Sequence, residues 1–267
     1  MPPGSTPPTG SGPDTPSVGP PSAPATPSFP AIPAGGDKER FKSARRSFSR
    51  FASSGGSDRR SLGRSISRYV STAAGGSRVA AQRMGASRQT SATLASFLSS
   101  AAVSGPREAL RVLRLESLAG RPIEEIFLGM MDYVCPEGGS IDDSIARDAF
   151  IETIADLADN GLTDFDTLNA AQLQTVLELY ATHAIEARLC NDIGTKAVSL
   201  PSNTADAERV QAQLFDFIRR SVSDALTAGL AEVATMTPVV ALGYVTLVYE
   251  QAFTILQSLG EAAEVEG

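Results

Sequence analysis

One histidine stands in this chain of 267 residues, His183, three residues after Tyr180 and three before Glu186. On a helix these neighbours share a face, and a His beside a Glu can serve as an acid–base pair. The same spacing describes an ordinary helix-face histidine with an i,i+3 contact, and no further ligands at metal-binding spacing accompany it. Cys135 and Cys190 are the only cysteines, stand far apart and form no CxxC. A nucleophilic cysteine needs a base and an electropositive setting, and the sequence offers only the distant His183. Gly55-Gly56, Gly75-Gly76 and Gly138-Gly139 belong to no GxxxxGK[ST] or GxGxxG phosphate loop. Asp142, Asp143, Asp148, Glu152 and Asp156 follow one another along one segment and read as the solvated face of a helix. These residues point to no catalytic, metal or cofactor site, so a binding role is expected.

The strongest chemical signal is cationic. Residues 38–88 carry Lys38, Arg40, Lys42 and ten further arginines with few acids. Arg45, Arg46, Arg50, Arg59, Arg60, Arg64 and Arg68 form the candidate partner surface. Guanidinium groups match phosphate in a bidentate fashion, so nucleic acid is one partner class. A basic amphipathic helix also suits a membrane surface, an acidic protein groove or the chain's own acidic half. Phe41, Phe48, Phe51 and Tyr69 interleave the arginines, but at core-facing spacing.

The elements that carry these residues read as helices throughout. Asp37 opens a segment with Phe41, Ala44, Phe48 and Phe51 at helical spacing, stopped by Ser54-Gly55-Gly56. Asp58 restarts a helix bearing Leu62, Ile66, Tyr69 and Val70, broken at Gly75-Gly76. A third segment is expected from Ser77 to about Ala102, weak in its Ser- and Ala-rich middle. Pro106 and Pro122 each suit a first helical turn, and Ser140 and Asn169 suit N-caps. Asn160-Gly161 is a stop signal. The helix after Asn169 is expected to end near Cys190, with Asn191-Asp192-Ile193-Gly194-Thr195 interrupting it. Pro201 and Asn203 prepare another helix, and the last runs from about Pro238 to Leu259. It is the most apolar segment, yet Glu250 and Gln251 lie within it and its flank is acidic, so a buried core helix is expected rather than a membrane span. No run shows sustained period-two alternation, so no sheet is expected. The fold class is all-α, a multi-helix bundle.

Before these helices, residues 1–36 are nearly all Pro, Gly, Ser, Thr and Ala. Such a segment buries too little apolar surface to offset the entropy of ordering it, and a disordered tail is expected. Residues 37–104 then form a basic helical region, and residues 105–267 an acidic helical domain packed as one bundle. Residues 1–120 hold 16 Lys and Arg against 6 Asp and Glu, a net of +10; residues 121–267 hold 7 against 24, a net of −17. The start Met1-Pro2-Pro3-Gly4 has no charged and apolar signal-peptide pattern, and a cytoplasmic location is expected.

The order of several short motifs resembles a known family. These are Phe41-Lys42-Ser43-Ala44-Arg45, the basic helix to Tyr69-Val70, Gly75-Gly76-Ser77-Arg78 and Arg83-Met84-Gly85. Further on come Leu118-Ala119-Gly120-Arg121-Pro122, Cys135-Pro136-Glu137-Gly138-Gly139-Ser140-Ile141-Asp142 and Leu189-Cys190-Asn191-Asp192-Ile193-Gly194-Thr195. Together they resemble the B component of the Qat anti-phage defence system of bacteria, over residues 37 to about 230. Asn191, Asp192, Gly194 and Thr195 are the most family-like cluster. The resemblance implies a protein without activity of its own, encoded beside an ATPase, a deazaguanine-synthase-like enzyme and a TatD-like nuclease. It further implies that the synthase-like enzyme attaches a deazaguanine to an N-terminal glycine of the tail. In this chain the first glycine is Gly4, so modification requires a different start or processing that exposes Gly4 or a later glycine.

Overall fold

The structure is a computed structural model describing residues 37–194, 201–229 and 238–265. Residues 1–36, and with them Gly4 and the expected tail, lie outside the described residues, as does Thr195. Among the described residues every regular element is helical, and the one β-type pairing is an isolated bridge between Pro122 and Asp164.

The chain runs through α1 (Asp37–Arg40), α2 (Lys42–Ser53) and α3 (Arg59–Arg68), the last continuing into a π turn at Tyr69–Ala73. There follow α4 (Ser77–Gln82), α5 (Gly85–Ser104), α6 (Pro106–Val112), α7 (Ile123–Val134) and α8 (Ile141–Asp159). A short 3-10 turn at Phe165–Thr167 leads to α9 (Ala170–Ile193), α10 (Thr204–Gly229) and α11 (Pro238–Val265). Local chemistry sets most boundaries. Asp58 accepts a hydrogen bond from the Ser61 N–H at the start of α3. Ser140 with Asp143, and Asn169 with Gln172, close reciprocal capping boxes at α8 and α9. Gly75 and Gly76 both take positive φ at the break before α4, a conformation that costs glycine little.

Three boundaries differ from the expectation. The segment from Ser77 is not one helix: it turns at Arg83-Met84, where Met84 is buried. The Asn191-Asp192-Ile193 stretch does not interrupt α9 but forms its last turn, and Gly194 ends the helix in the left-handed conformation. Burial of Ile193 and the partners of Asp192 override the weak helix propensity of Asn and Asp. Helix α11 continues past Leu259 to Val265 because its small residues Gly260 and Ala263 pack against α3.

One apolar core runs from Phe41 to Leu256. Helix α11 is central to it, packing on α3, α4, α5 and α10. Tyr249 of α11 is buried with its hydroxyl 3.0 Å from Ser91 of α5. Ring stacks of Phe97 on Phe165 and Phe127 on Phe150 fill the far end. Against α11, α3 approaches unusually closely: a Cβ on Gly63 would lie 2.6 Å from that of Ala263, and one on Gly260 would lie 2.5 Å from the Gly63 carbonyl oxygen. The basic helices are therefore seated by glycine-mediated backbone contact and by buried Phe48, Phe51, Leu62 and Ile66. Among the described residues no helix is long and apolar enough to cross a membrane.

Candidate functional site

The seven arginines of the expected partner surface divide into two groups. Arg45 is half-buried and donates from Nε to the carbonyl of Ile193. Arg64 lies 3.7 Å from Glu264, too far for a hydrogen bond, and its buried Nε has no partner among the described residues. Arg68 is exposed and donates to Ser43 Oγ at 2.8 Å. Arg46, Arg50, Arg59 and Arg60 are exposed and make no ion pair among the described residues. The acidic half therefore does not neutralise this surface: Arg64–Glu264 is the one ion pair among the described residues that joins the basic region to it. The interleaved aromatics Phe41, Phe48, Phe51 and Tyr69 are all buried. They offer no exposed rings on which single-stranded bases could stack.

Arg45 and the family-like cluster are brought together at the C-terminus of α9. The π turn after α3 directs the Tyr69 hydroxyl to Asp192, to which it donates at 2.9 Å. Arg188, one helical turn before Asp192, donates to the same carboxylate at 3.2 Å and also to Asp142. Burial disfavours the Arg188 cation, but Asp192 and Asp142 outweigh it and raise its pKa. Burial and the neighbouring Asp192 carboxylate push the Tyr69 pKa well up, so the phenol stays protonated as a donor. Three separate family-like stretches, around Tyr69, Asp142 and Asp192, are thus joined in one network, Tyr69 through Asp192 and Asp142 through Arg188. Asn191 is exposed, and Gly194 lies beneath Arg45. This arrangement anchors the basic helices and presents no reactive group.

A second feature was not foreseen as a site. Helices α8, α9 and α10 line an open cleft of about 850 Å³. Asp148, Glu152, Asp156 and Asp159 enter from α8, Glu186 and His183 from α9, and Glu208 and Asp216 from α10, over a floor that includes Ala149 and Phe215. Among the described residues no Lys or Arg lines it. His183 does not use Glu186; its Nε2 lies 2.9 Å from Asp156, and its ring packs on Phe215. Burial lowers the His183 pKa against the opposing pull of Asp156, so the ring is neutral at pH 7. Burial, with Glu152 and Asp156 adding repulsion, raises Glu186 to about 7. The signal in the sequence was a carboxylate stripe at four-residue spacing, Asp148-Glu152-Asp156, which is the spacing of a helix face whether or not another helix covers it. The neighbouring Asp142 and Asp143 go elsewhere, to Arg188 and to the Ser140 cap. Among the described residues no group of His, Cys, Asp and Glu is arranged to hold a metal ion.

Neither cysteine is set up as a nucleophile. Burial raises the Cys135 thiol to about 11 and the Cys190 thiol to about 12. Folded chain treated with iodoacetamide at pH 8 is expected to stay unmodified, while chain unfolded in urea gains two carbamidomethyl groups in its intact mass. Rapid labelling of the folded chain would contradict the burial of Cys135 and the raised pKa of half-buried Cys190.

The family model described as "Qat anti-phage system associated protein QatB" matches residues 75–256. The chain belongs to the QatB family. The QatB match takes in α4 to α10 and most of α11, including Arg188 and both of its carboxylate partners, whereas α2 and α3 precede it. No curated protein and no solved structure matches the chain. Membership of the QatB family makes this an associated protein of the Qat anti-phage system.

Proposed function

We propose that the chain is a non-catalytic helical partner protein of this defence system. It docks the deazaguanine-synthase-like enzyme through its basic helices and offers its N-terminal tail to that enzyme as a modification substrate. The observation that carries the docking is the set of exposed arginines left without carboxylates, on helices held rigidly to the core by glycine contact and by the Asp192 network. An electropositive surface on a fixed scaffold steers an acidic partner and sets its orientation. Those arginines precede the segment that matches the family, and the choice of enzyme and the use of Gly4 rest on the resemblance of the sequence motifs. The system's ATPase and TatD-like nuclease are further partners on the same ground. The location that suits this role is the cytoplasm.

Co-expression with the synthase-like enzyme followed by size-exclusion chromatography tests the docking. Co-elution is expected for the parent chain, and separate elution for the Arg46→Glu/Arg50→Glu variant with its helicity unchanged. Separate elution of the parent chain at micromolar concentration would sink the docking. Intact mass of the co-expressed chain tests the tail: an added deazaguanine at Gly4 or a later glycine is expected, and an unaltered mass counts against it. Nucleic acid is the second reading, favoured by the same four exposed arginines. It requires affinity that falls steeply with salt, and no gel shift at low salt would dispose of it.

A further inference from the structure

We propose that the chain carries a binding site for a small phosphate monoester of nucleotide size, in a second cavity at the start of α3. This cavity has a volume of about 390 Å³, within the usual range for small-molecule sites. Arg59 and Arg60 enter it from the first turn of α3. Gln213, Asp216, Phe217 and Arg220 enter from α10 at i, i+3, i+4 and i+7, one continuous helix face. Leu62 and Ala263 close the base.

Three properties select the ligand. The lining holds three guanidinium groups against one carboxylate, a net of about +2 that matches the charge of a phosphate monoester near neutral pH. None of those guanidiniums forms an ion pair among the described residues; Arg220 donates only from Nε, to the backbone carbonyl of Asp216 at 3.2 Å. Their remaining donors are free for the bidentate geometry that phosphate oxygens accept. The positive end of the α3 dipole adds to the same field. The third property concerns the body of the ligand. Gln213 lines the cavity, and its Oε1 is buried and without a hydrogen-bond partner among the described residues. Rotation of that amide into the cavity gives the oxygen the donor it lacks, from the hydroxyls of a ribose or the amine of a base. Phe217 and Leu62 provide the apolar wall for such a group. At that volume the cavity holds one nucleotide unit and no duplex.

Adenosine 5′-monophosphate is the probe, titrated calorimetrically into the full chain at low salt, with adenosine and inorganic phosphate as comparisons. Saturable binding of the monophosphate is expected, about tenfold or more tighter than either comparison, as each charge-assisted hydrogen bond is worth about a factor of ten. Arg59→Gln and Arg60→Gln are each expected to weaken it about tenfold. Gln213→Leu is the variant that separates binding from folding. It removes a polar atom that has no partner, so the melting temperature should hold or rise, while the monophosphate loses affinity and inorganic phosphate does not. Absence of binding by the monophosphate would overturn the proposal. So would equal affinity for adenosine, or a Gln213→Leu variant that binds the monophosphate as the parent does. Binding of a single-stranded oligonucleotide alone would also overturn it and return these arginines to the nucleic-acid reading. Because docking was tested at Arg46 and Arg50, failure here leaves that result standing.

Discussion

Glu186→Gln is expected to raise the melting temperature at pH 8 by roughly 4–8 °C and to lose most of that gain by pH 5, with about 2–4 °C per kcal/mol for a chain of this size. In the folded chain Glu186 titrates at about 7, raised by burial and then by Glu152 and Asp156 from an ordinary value of 4.5. Between those two values the folded state binds a proton that the unfolded state has released. Stability contributed by this group is therefore present at low pH and lost as pH rises through 7. Above 7 the ionised carboxylate costs about 3 kcal/mol, and an uncharged amide of the same shape recovers most of it. His183 works in the opposite sense. Its depressed pKa means that stability is lost as pH falls below about 6.5, where the unfolded ring binds a proton first. Circular-dichroism melts of parent and variant at pH 8 and pH 5 check the prediction. A gain of the same size at both pH values would show that Glu186 does not titrate near neutrality.

Gly260→Val is expected to lower the melting temperature by roughly 6–12 °C, a loss of about 3 kcal/mol for overpacking a tight contact. The new Cβ would meet the Gly63 carbonyl oxygen at 2.5 Å and the backbone and Cβ of Ser67 at 3.0 and 2.9 Å, so α3 must move off α11. Backbone atoms have no alternative rotamer by which to yield. Gly243→Ala on the same helix is the control. Among the described residues nothing lies within 4 Å of its Cβ position, and alanine favours a helix interior, so that variant should be neutral or slightly stabilised. Equal losses in the two variants would mean that glycine in α11 serves something other than close approach. Loss of partner co-elution in Gly260→Val at a temperature where it remains helical would further link the seating of α3 to docking.

The features that could be read from the sequence are those whose causes lie within a few residues. Asp58, Ser140 and Asn169 cap helices through bonds to the third residue on, so the signal and the structure it produces sit side by side. Pro106 in a first turn and Gly161 after a last one are equally local. The end of α9 was misread because its cause is remote: Asp192 is held by Tyr69, 123 residues earlier, and the Ile193 carbonyl by Arg45, 148 residues earlier. The acidic cavity was hidden for a related reason. Asp148, Glu152 and Asp156 make the same stripe whether they face bulk water or two other helices, and only the rotation of α8 against α9 and α10 decides it. The arginines were recognised as a group, but their division into Arg45 and Arg64, turned inward, and Arg46, Arg50, Arg59 and Arg60, left outward, follows from the seating of α3 on α11. Family membership was legible in the order of short motifs, and three of those motifs prove to share one hydrogen-bond network around Asp192 and Arg188.

That seating also dictates an order of events during synthesis. Ser67 and Glu264, which share a hydrogen bond across the contact, are 197 residues apart in the chain. At about 5–20 residues per second, the ribosome delivers α11 roughly 10–40 s after α3 has emerged. Through that interval the apolar undersides of α2 and α3 have no lid, while their outward arginines repel neighbouring nascent chains on the same message. Every polysome making this chain would therefore carry a sticky, cationic half-product. A stop codon before α11 would make that state permanent.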